Sequence, residues 1–524
     1  MIVPGAPTTS IGPDGRLNDA FDKTEDEKEL QEFKRLQDGF AAQFETAFPD
    51  KMAGKTVVIV PSLTLDVEIL SKLKGAIHYE ERLLCLLMLL RMPHTHVIYV
   101  TSMPVDDCIM DYYLHLLPGI TGYHARQRLT MLSCFDASPI SLTQKILDRP
   151  RLIQRIKDSI PQHHLSHMAC FNVTPRERAL AVRLGMPIYG CDPGLEYLGS
   201  KSFSRRIFRT CGIPTPDGME DLYSEEDIIQ ALTDLKEKNP DLRRAVVKIN
   251  EGFSGEGNAI FSYEGADQKN LHNWIRSNLT QHLSIIAKDL SYQTFMGKFS
   301  EMGGVVEIFI EGGHKESPSA QCRITPLGRT DVVSTHDQLL GGEGGQVFLG
   351  AHFPASPEYA PAIGEMGFAI AEELKRNGVL GRFAIDFISV KEKEGWKHYA
   401  IEINLRKGGT THPYLMLQFL TDGDYDMSKA LYYTANGQTR YYFFSDNLQS
   451  DHYKGLTPHD LIDIAMCNGL LYDGSSQQGV MFHMIGALSQ YGKLGVLCIG
   501  ETPEIATQLY KKTVQVLDKE KWKW

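Results

Sequence analysis

The sequence has no apolar run long enough to cross a bilayer. The longest candidate, residues 83–90, is bracketed by Glu80, Glu81, Arg82 and Arg91 and reads as a buried helix. There is no basic n-region followed by an apolar stretch at the amino end, which argues against a signal peptide. There is no Cys-x-x-Cys pair, and the nine cysteines are odd in number and scattered. Free thiols in a reducing, cytoplasmic setting are therefore expected rather than a disulfide framework. Positive charge is not in excess: the net charge is −11, so general binding to nucleic acid or to an anionic membrane is not expected. No internal repeat is visible. Ser254 has no elbow sequence around it, so no serine nucleophile is proposed.

Apolar residues make up 42% and charged residues 23%, an ordinary globular composition. At 524 residues the chain exceeds one hydrophobic core, and about two to four domains are expected. Residues 1–24 are rich in Pro, Gly, Asp and Thr and read as an arm. Leu30, Phe33, Leu36, Phe40 and Phe44 then recur at helical spacing. Residues 55–61 (KTVVIVP) and 97–101 (VIYVT) are β-branched runs of the kind found in buried parallel strands. With the helical stretch between them they imply an α/β domain over residues 51–198.

A second region starts near Gly199. Ser200 is placed to cap a helix over residues 201–211, which Gly212-Ile-Pro-Thr-Pro216 stops. A helix (225–237), a strand (245–249), a Gly-rich loop, strands at 259–263 and 305–310 and a helix near 363–375 follow. From about Arg440 the chain reads as a small α+β cap ending in a helix (503–517).

The strongest chemical signal is a strand pair. Residues 381–390 (GRFAIDFISV) and 398–406 (HYAIEINLR) both alternate, with the charged stretch 391–397 as the turn. A hairpin centred on Glu394 places Asp386 opposite Glu402, with facing side chains about 5 Å apart. Period two then puts Arg382, Asp386, Glu402, Asn404 and Arg406 on one face and Phe383, Ile385, Phe387, Ile401, Ile403 and Leu405 on the other. Two facing carboxylates repel unless a cation intervenes. With an Asn oxygen beside them, the hard donor set favours Mg²⁺ together with the phosphates of a nucleotide. The competing reading is a solvated face of an edge hairpin. It is weakened by the tight-loop sequence Gly408-Gly-Thr-Thr-His-Pro413 that follows.

Two weaker elements precede this pair. Lys248 lies on a strand that runs into a loop carrying Gly252, Ser254, Gly255 and Gly257, where backbone N–H groups can approach phosphate oxygens. The loop lacks a Gly-Lys-Ser/Thr ending and is not a Walker A motif; a plain hairpin turn is the alternative. Residues 305–312 (VVEIFIEG) form a strand whose edge can meet an adenine ring, with Glu307 accepting from the adenine amino group or, equally well, standing solvated. His336 and Gln338 are expected to line the substrate side of the site, with a purely structural loop role as the alternative.

The ordered set of Lys201 at a helix start, Gly-Ile-Pro-Thr-Pro, Val-Val-Lys248 with its glycine loop, Glu-Ile-Phe-Ile-Glu-Gly, Asp386, and Glu402-Ile-Asn404 resembles the ATP-grasp superfamily over about residues 199–420. The fuller chain resembles the peptide ligases related to the one in pheganomycin biosynthesis, through residues 402–413 and 479–483. The resemblance implies an α/β multidomain fold. Residues 1–50 would be an arm and helix, 51–198 an α/β pre-grasp domain, 199–435 an ATP-grasp domain of two α+β subdomains, and 436–524 a small α+β cap. It implies ATP and Mg²⁺ as cofactors, with Lys201 and Lys248 on the phosphates and Glu307, Phe309 and Ile310 in an adenine hinge. Glu316 would bind the ribose, with Glu311 as the alternative. Asp386, Glu402 and Asn404 would hold the metal. Arg406 would face the transferred phosphate, with Arg382 and Lys248 as the other candidate catalytic cations.

The expected activity is joining a small-molecule carboxylate to the amine of an amino acid or peptide through an acyl phosphate, with release of ADP and phosphate. A kinase on the same scaffold and a non-catalytic nucleotide-binding scaffold are the rivals. Homodimerisation is left open. Lys248→Ala is expected to weaken nucleotide binding and leave the fold intact.

Overall fold

The computed structural model describes residues 19–65, 67–252, 257–287, 290–341 and 347–520. The amino-terminal part is a four-stranded parallel sheet in the order β3-β2-β1-β4. Its strands are β1 (Lys55–Val60), β2 (Thr95–Thr101), β3 (Leu129–Ser133) and β4 (Leu165–Cys170). The expected β-branched runs are β1 and β2, and both are almost wholly buried because helices cover the sheet on its faces. The apolar stretch at 83–90 lies inside a longer helix of 3₁₀ character, Ala76–Arg91. This helix also buries Glu80, Glu81 and Arg82. Glu80 accepts from the Ser102 backbone N–H and hydroxyl, and burial pushes its carboxyl up to about 7.

The second part begins with the helix Lys201–Thr210, capped as expected by Ser200, whose hydroxyl accepts from the Phe203 N–H. A five-stranded sheet follows in the order β5-β9-β6-β7-β8. It comprises β5 (Gly218–Leu222), β6 (Arg244–Ile249), β7 (Asn258–Ser262), β8 (Leu283–Ile285) and β9 (Gly304–Ile308). Helices Glu225–Lys238, Leu271–His282 and Tyr292–Met302 belong to this lobe. The large sheet has nine strands. The first six are β10 (Lys315–Glu316), β11 (Pro318–Ile324), β12 (Thr330–Gly341), β13 (Val347–Phe353), β14 (Gly381–Glu392) and β15 (Gly395–Asn404). The small ribbon of β16 (Asp424–Asp426) and β17 (Leu431–Tyr433) comes next in the chain. The large sheet is completed by β18 (Tyr441–Gln449), β19 (Gly479–His483) and β20 (Lys493–Gly500).

This last set changes the expected organisation. β18 pairs with β13, and β20 and β19 follow beyond it, so the carboxy-terminal strands extend the large sheet instead of forming a separate cap. Their apolar residues share one core with the pre-grasp helix Ala76–Arg91 and with helix Thr411–Thr421. Arg82 on that 3₁₀ helix pairs with Asp446 on β18 at 2.5 Å, with both side chains buried. Among the described residues no helix is long and apolar enough to cross a membrane.

The Arg82–Asp446 pair generates a stability prediction. Asp446→Ala leaves Arg82 as an uncompensated buried charge and is expected to cost about 3–5 kcal/mol in urea unfolding. Arg82→Met combined with Asp446→Leu should recover most of that loss. A single variant as stable as the parent would show that the pair does not tie the two parts together.

Candidate active site

The β14–β15 hairpin brings Asp386 directly opposite Glu402, as the alternation indicated. The route to that register differs from the expected one. The turn is the two residues Lys393 and Glu394, with Glu392 opposite Gly395. That register alone would place Asp386 opposite Ile401. A bulge between Asp386 and Phe387 shifts it by one residue, so Phe387 faces Ala400 and Ile401 drops out of the ladder. Ile401 therefore leaves the apolar face assigned to it, while Phe383, Ile385, Phe387, Ala400 and Ile403 form that core. A bulge re-aims the side chains beside it, and here it sets the two carboxylates across from each other.

Asp386 Oδ1 accepts from Gln338 Nε2 at 2.6 Å, and its Oδ2 accepts from Asn404 Nδ2 at 2.9 Å. Burial first and the facing Glu402 second push the Asp386 carboxyl up to about 7, against the pull of these donors and of Arg406. The donor set fits a hard divalent cation: two carboxylates and an amide converge, and the proton shared out by repulsion is what a metal would replace. Arg406 is close enough for Asp386 and Glu402 both to favour its charge, although burial lowers it. Lys201 Nζ lies 4.0 Å from Glu402 Oε2.

Lys201 is fixed from two sides. Its backbone N–H donates to the Asn250 carbonyl, and the next N–H, of Ser202, donates to Asn250 Oδ1 at 2.9 Å. The start of the helix is thus tied to the end of β6. Gly252 follows immediately; a Cβ there would meet Gly257 N at 3.3 Å and Lys201 Nζ at 3.9 Å. The glycine is needed for that close approach of chain to chain. Gly257 closes the loop by accepting from the Ile249 N–H at 2.8 Å. Ser254 and Gly255 lie outside the described residues.

Glu307 does not do what the sequence suggested. Its carboxylate is buried and paired with Lys248 Nζ at 2.6 Å and Arg205 Nη1 at 2.7 Å. Burial alone would raise its pKa, but Lys248 and then Arg205 outweigh it and hold the carboxyl below its ordinary value. It is therefore not a solvated glutamate. The segment expected to form the adenine hinge follows it. There Phe309 N–H donates to the Arg244 carbonyl, and the Phe309 ring lies 3.9 Å under the Arg244 guanidinium. Ile310 is buried beside it. Glu311 is engaged by Arg244 at 2.8 Å, whereas Glu316 is half-exposed with His314 as its neighbour at 3.3 Å. The choice between the two ribose candidates thus leans to Glu316.

Arg205 was missed. It sits four residues after Lys201, one helical turn along the same face, and that spacing was the available signal. Gln338, expected on the substrate side, donates to Asp386 itself. Arg382 lies on the Asp386 face but four residues away, opposite Arg323; it is not adjacent to the carboxylate pair.

Comparisons with known proteins fit this geometry. The architecture is that of the ATP-grasp enzymes. Biotin carboxylase from Campylobacter jejuni in a β,γ-ATP complex superimposes with a TM-score of 0.54, over 88% of this chain and 91% of its own, at 13% identity. The ADP complex of N5-carboxyaminoimidazole ribonucleotide synthetase gives 0.51 over 90% and 98%, also at 13% identity. The family model "IQCH-like, ATP-grasp" matches residues 195–282 and 264–428, and "PGM1 C-terminal domain" matches 460–513. L-propargylglycine–L-glutamate ligase of Streptantibioticus cattleyicolor is 28% identical over 473 residues, 88% of this chain and 94% of that one. IQ motif-containing protein H of Danio rerio is 22% identical over 89% of this chain, which spans 49% of that relative. Residues 195–428 thus match an ATP-grasp family model, and the chain is similar over most of its length to an amino-acid ligase.

Two outcomes test the site. Lys248→Ala leaves Glu307 buried with Arg205 alone. Contrary to the expectation of an intact fold, it should lower stability by about 3 kcal/mol as well as weaken nucleotide binding; an unchanged urea midpoint would contradict the pairing. Asp386, whose carboxyl is raised to about 7 in the fold against about 4 when unfolded, binds its proton more tightly in the native state. In chelator the wild type should therefore lose stability as pH rises from about 4 to about 7 relative to Asp386→Asn. A pH-independent difference in thermal midpoint between the two proteins would refute the shift.

Proposed function

We propose that the chain is an ATP-dependent carboxylate–amine ligase that makes an amide or peptide bond through an acyl phosphate and releases ADP and phosphate. The observation that supports it most is the Asp386–Glu402 pair with Asn404, Arg406 and Lys201 gathered around it. ATP would supply the phosphoryl group, and Asp386, Glu402 and Asn404 would hold Mg²⁺, which would neutralise its charge. Lys201 and Lys248 bind phosphate oxygens, with the Glu307 ion pair holding Lys248 in place. The backbone of Phe309 and Ile310 meets the adenine, and Glu316 the ribose. Arg406 is placed to stabilise charge on the transferred phosphoryl group and then on the acyl phosphate, where a fixed cation out of water acts strongly.

The Streptantibioticus relative is named as a ligase of L-propargylglycine and L-glutamate. The same substrate class, small molecules and not nucleic acid or membrane, is proposed here, with a cytoplasmic setting that suits nine free thiols. The domain limits at about residues 50, 198 and 435 are retained as a proposal, with the last of them crossing a continuous sheet.

Glu402→Gln removes one metal ligand and one repelling charge. Ligation should fall below detection while metal-free stability holds or rises. Product analysis decides the mechanism: amine-dependent release of ADP and phosphate is expected. AMP with pyrophosphate would exclude the acyl-phosphate route, and a phosphorylated product stable to amines would favour a kinase.

A further inference from the structure

Arg382 on β14 and Arg323 on β11 stand directly opposite each other, on the Asp386 side of the sheet. Like charges so placed repel. Arg323 has a counter-ion, Asp331, at 2.7 Å. The groups that act most on Arg382 are Arg323 itself, the phenols of Tyr189 and Tyr414 and the Cys85 thiol, none of them a carboxylate. Its Nη1 is buried without a hydrogen-bond partner among the described residues. Lys407 is near enough that its charge and that of Arg382 oppose each other, and burial pushes the Lys407 ammonium down to about 8. Three half-buried cations with one carboxylate among them repel one another.

The stretch of sheet between Arg382 and Asp386 is equally unlike a core. Gln321 lies between Ala384 and Ser334, and Ser319 lies between Asp386 and His336. Ser319 Oγ, Gln321 Nε2, Ser334 Oγ and His336 Nδ1 are all buried without hydrogen-bond partners among the described residues. Buried polar atoms are nearly always satisfied in a finished core. A row of unsatisfied ones, floored by small side chains and running from a metal site to a guanidinium pair, has the character of a binding surface.

We propose that Arg382 and Arg323 form an anion subsite for a carboxylate of the substrate remote from the group that reacts, so that one substrate is an acid of amino-acid to dipeptide size lying along Ala384, Gln321 and Ser334 towards Asp386. Four residues of strand separate Arg382 from Asp386, about 13 Å at ~3.3 Å per residue, and the length of the arginine side chain shortens that span. The assignment of the reacting end rests on the ligase reading; the anion end does not need nucleotide. Paired guanidinium forks match a planar carboxylate, and phosphate is the competing anion.

The test is calorimetric titration of the full chain, without nucleotide, with glutarate, L-glutamate, L-glutamine and inorganic phosphate. Glutarate or L-glutamate should bind the wild type more tightly than L-glutamine or phosphate. Arg382→Met should weaken that binding about thirtyfold or more, and Arg382→Lys should restore part of it. The thermal midpoint of Arg382→Met without ligand should equal or exceed that of wild type, because an unpaired buried charge is removed. The subsite is overturned if neither acid binds, if phosphate binds best, if Arg382→Met binds as wild type does, or if that variant loses its fold. A parallel titration with MgADP keeps the two readings apart: failure there counts against the ligase and leaves the acid titration intact.

Discussion

Two carboxylates that face each other across one rung of a β-ladder set the terms for everything around them. Side by side in a buried setting they repel, and the free chain meets that repulsion by holding the Asp386 proton to about neutral pH and by packing donors around the pair. Arg406 and Lys201 approach from two different elements, the end of β15 and the start of the helix Lys201–Thr210 that packs on it. The repulsion thus draws cationic groups to the seam between the lobes, where a divalent ion and a polyphosphate together would meet both signs of charge.

The second buried carboxylate, Glu307, has the opposite role. Lys248 and Arg205 are both long, and both would otherwise be free to move in a site that must place phosphate oxygens accurately. Their shared pairing with Glu307 fixes them at 2.6 and 2.7 Å. Because Glu307 lies on the strand that leads into the segment proposed as the adenine hinge, Lys248, proposed to bind phosphate, and that segment are one mechanical unit. A shift of β9 would move both together, which suits positioning catalysis, where errors of an ångström are expensive.

Much of this was legible in the sequence, and the limits of that reading have physical causes. Alternation marked β14 and β15 and paired Asp386 with Glu402, but two errors cancelled: the turn is tighter than a centre on Glu394 allows, and the bulge at Ile401 restores the residue. A bulge leaves no periodic trace, so the register was right without its reason. The helix at Lys201 was found through its cap. The Glu307 pairing was not, because a glutamate in an apolar strand reads the same whether it meets solvent or two cations from other elements. The carboxy-terminal strands looked like a small domain because sequence shows local alternation, while the β13–β18 pairing that extends the sheet joins residues nearly a hundred positions apart.

The distribution of counter-ions separates machinery from scaffold. Arg82 is satisfied by Asp446, Arg205 by Glu220 and Glu307, and Arg323 by Asp331; these pairs compensate their own desolvation. Where a charge is instead opposed by its like, as with Asp386 against Glu402 and Arg382 against Arg323, the surrounding donors and counter-ions offset the cost only in part. Natural chains sit close to their stability threshold, so such a cost persists where something outside the chain relieves it. One like-charge pair is negative and the other positive, and they lie on the same face of the same strand. The sheet is thereby polarised along its length, with a site for cations at one end and a site for anions at the other. With a divalent ion bound at the first, an acid carrying two carboxylates would meet positive charge at both ends, and the spacing of the two sites would set the length it can have.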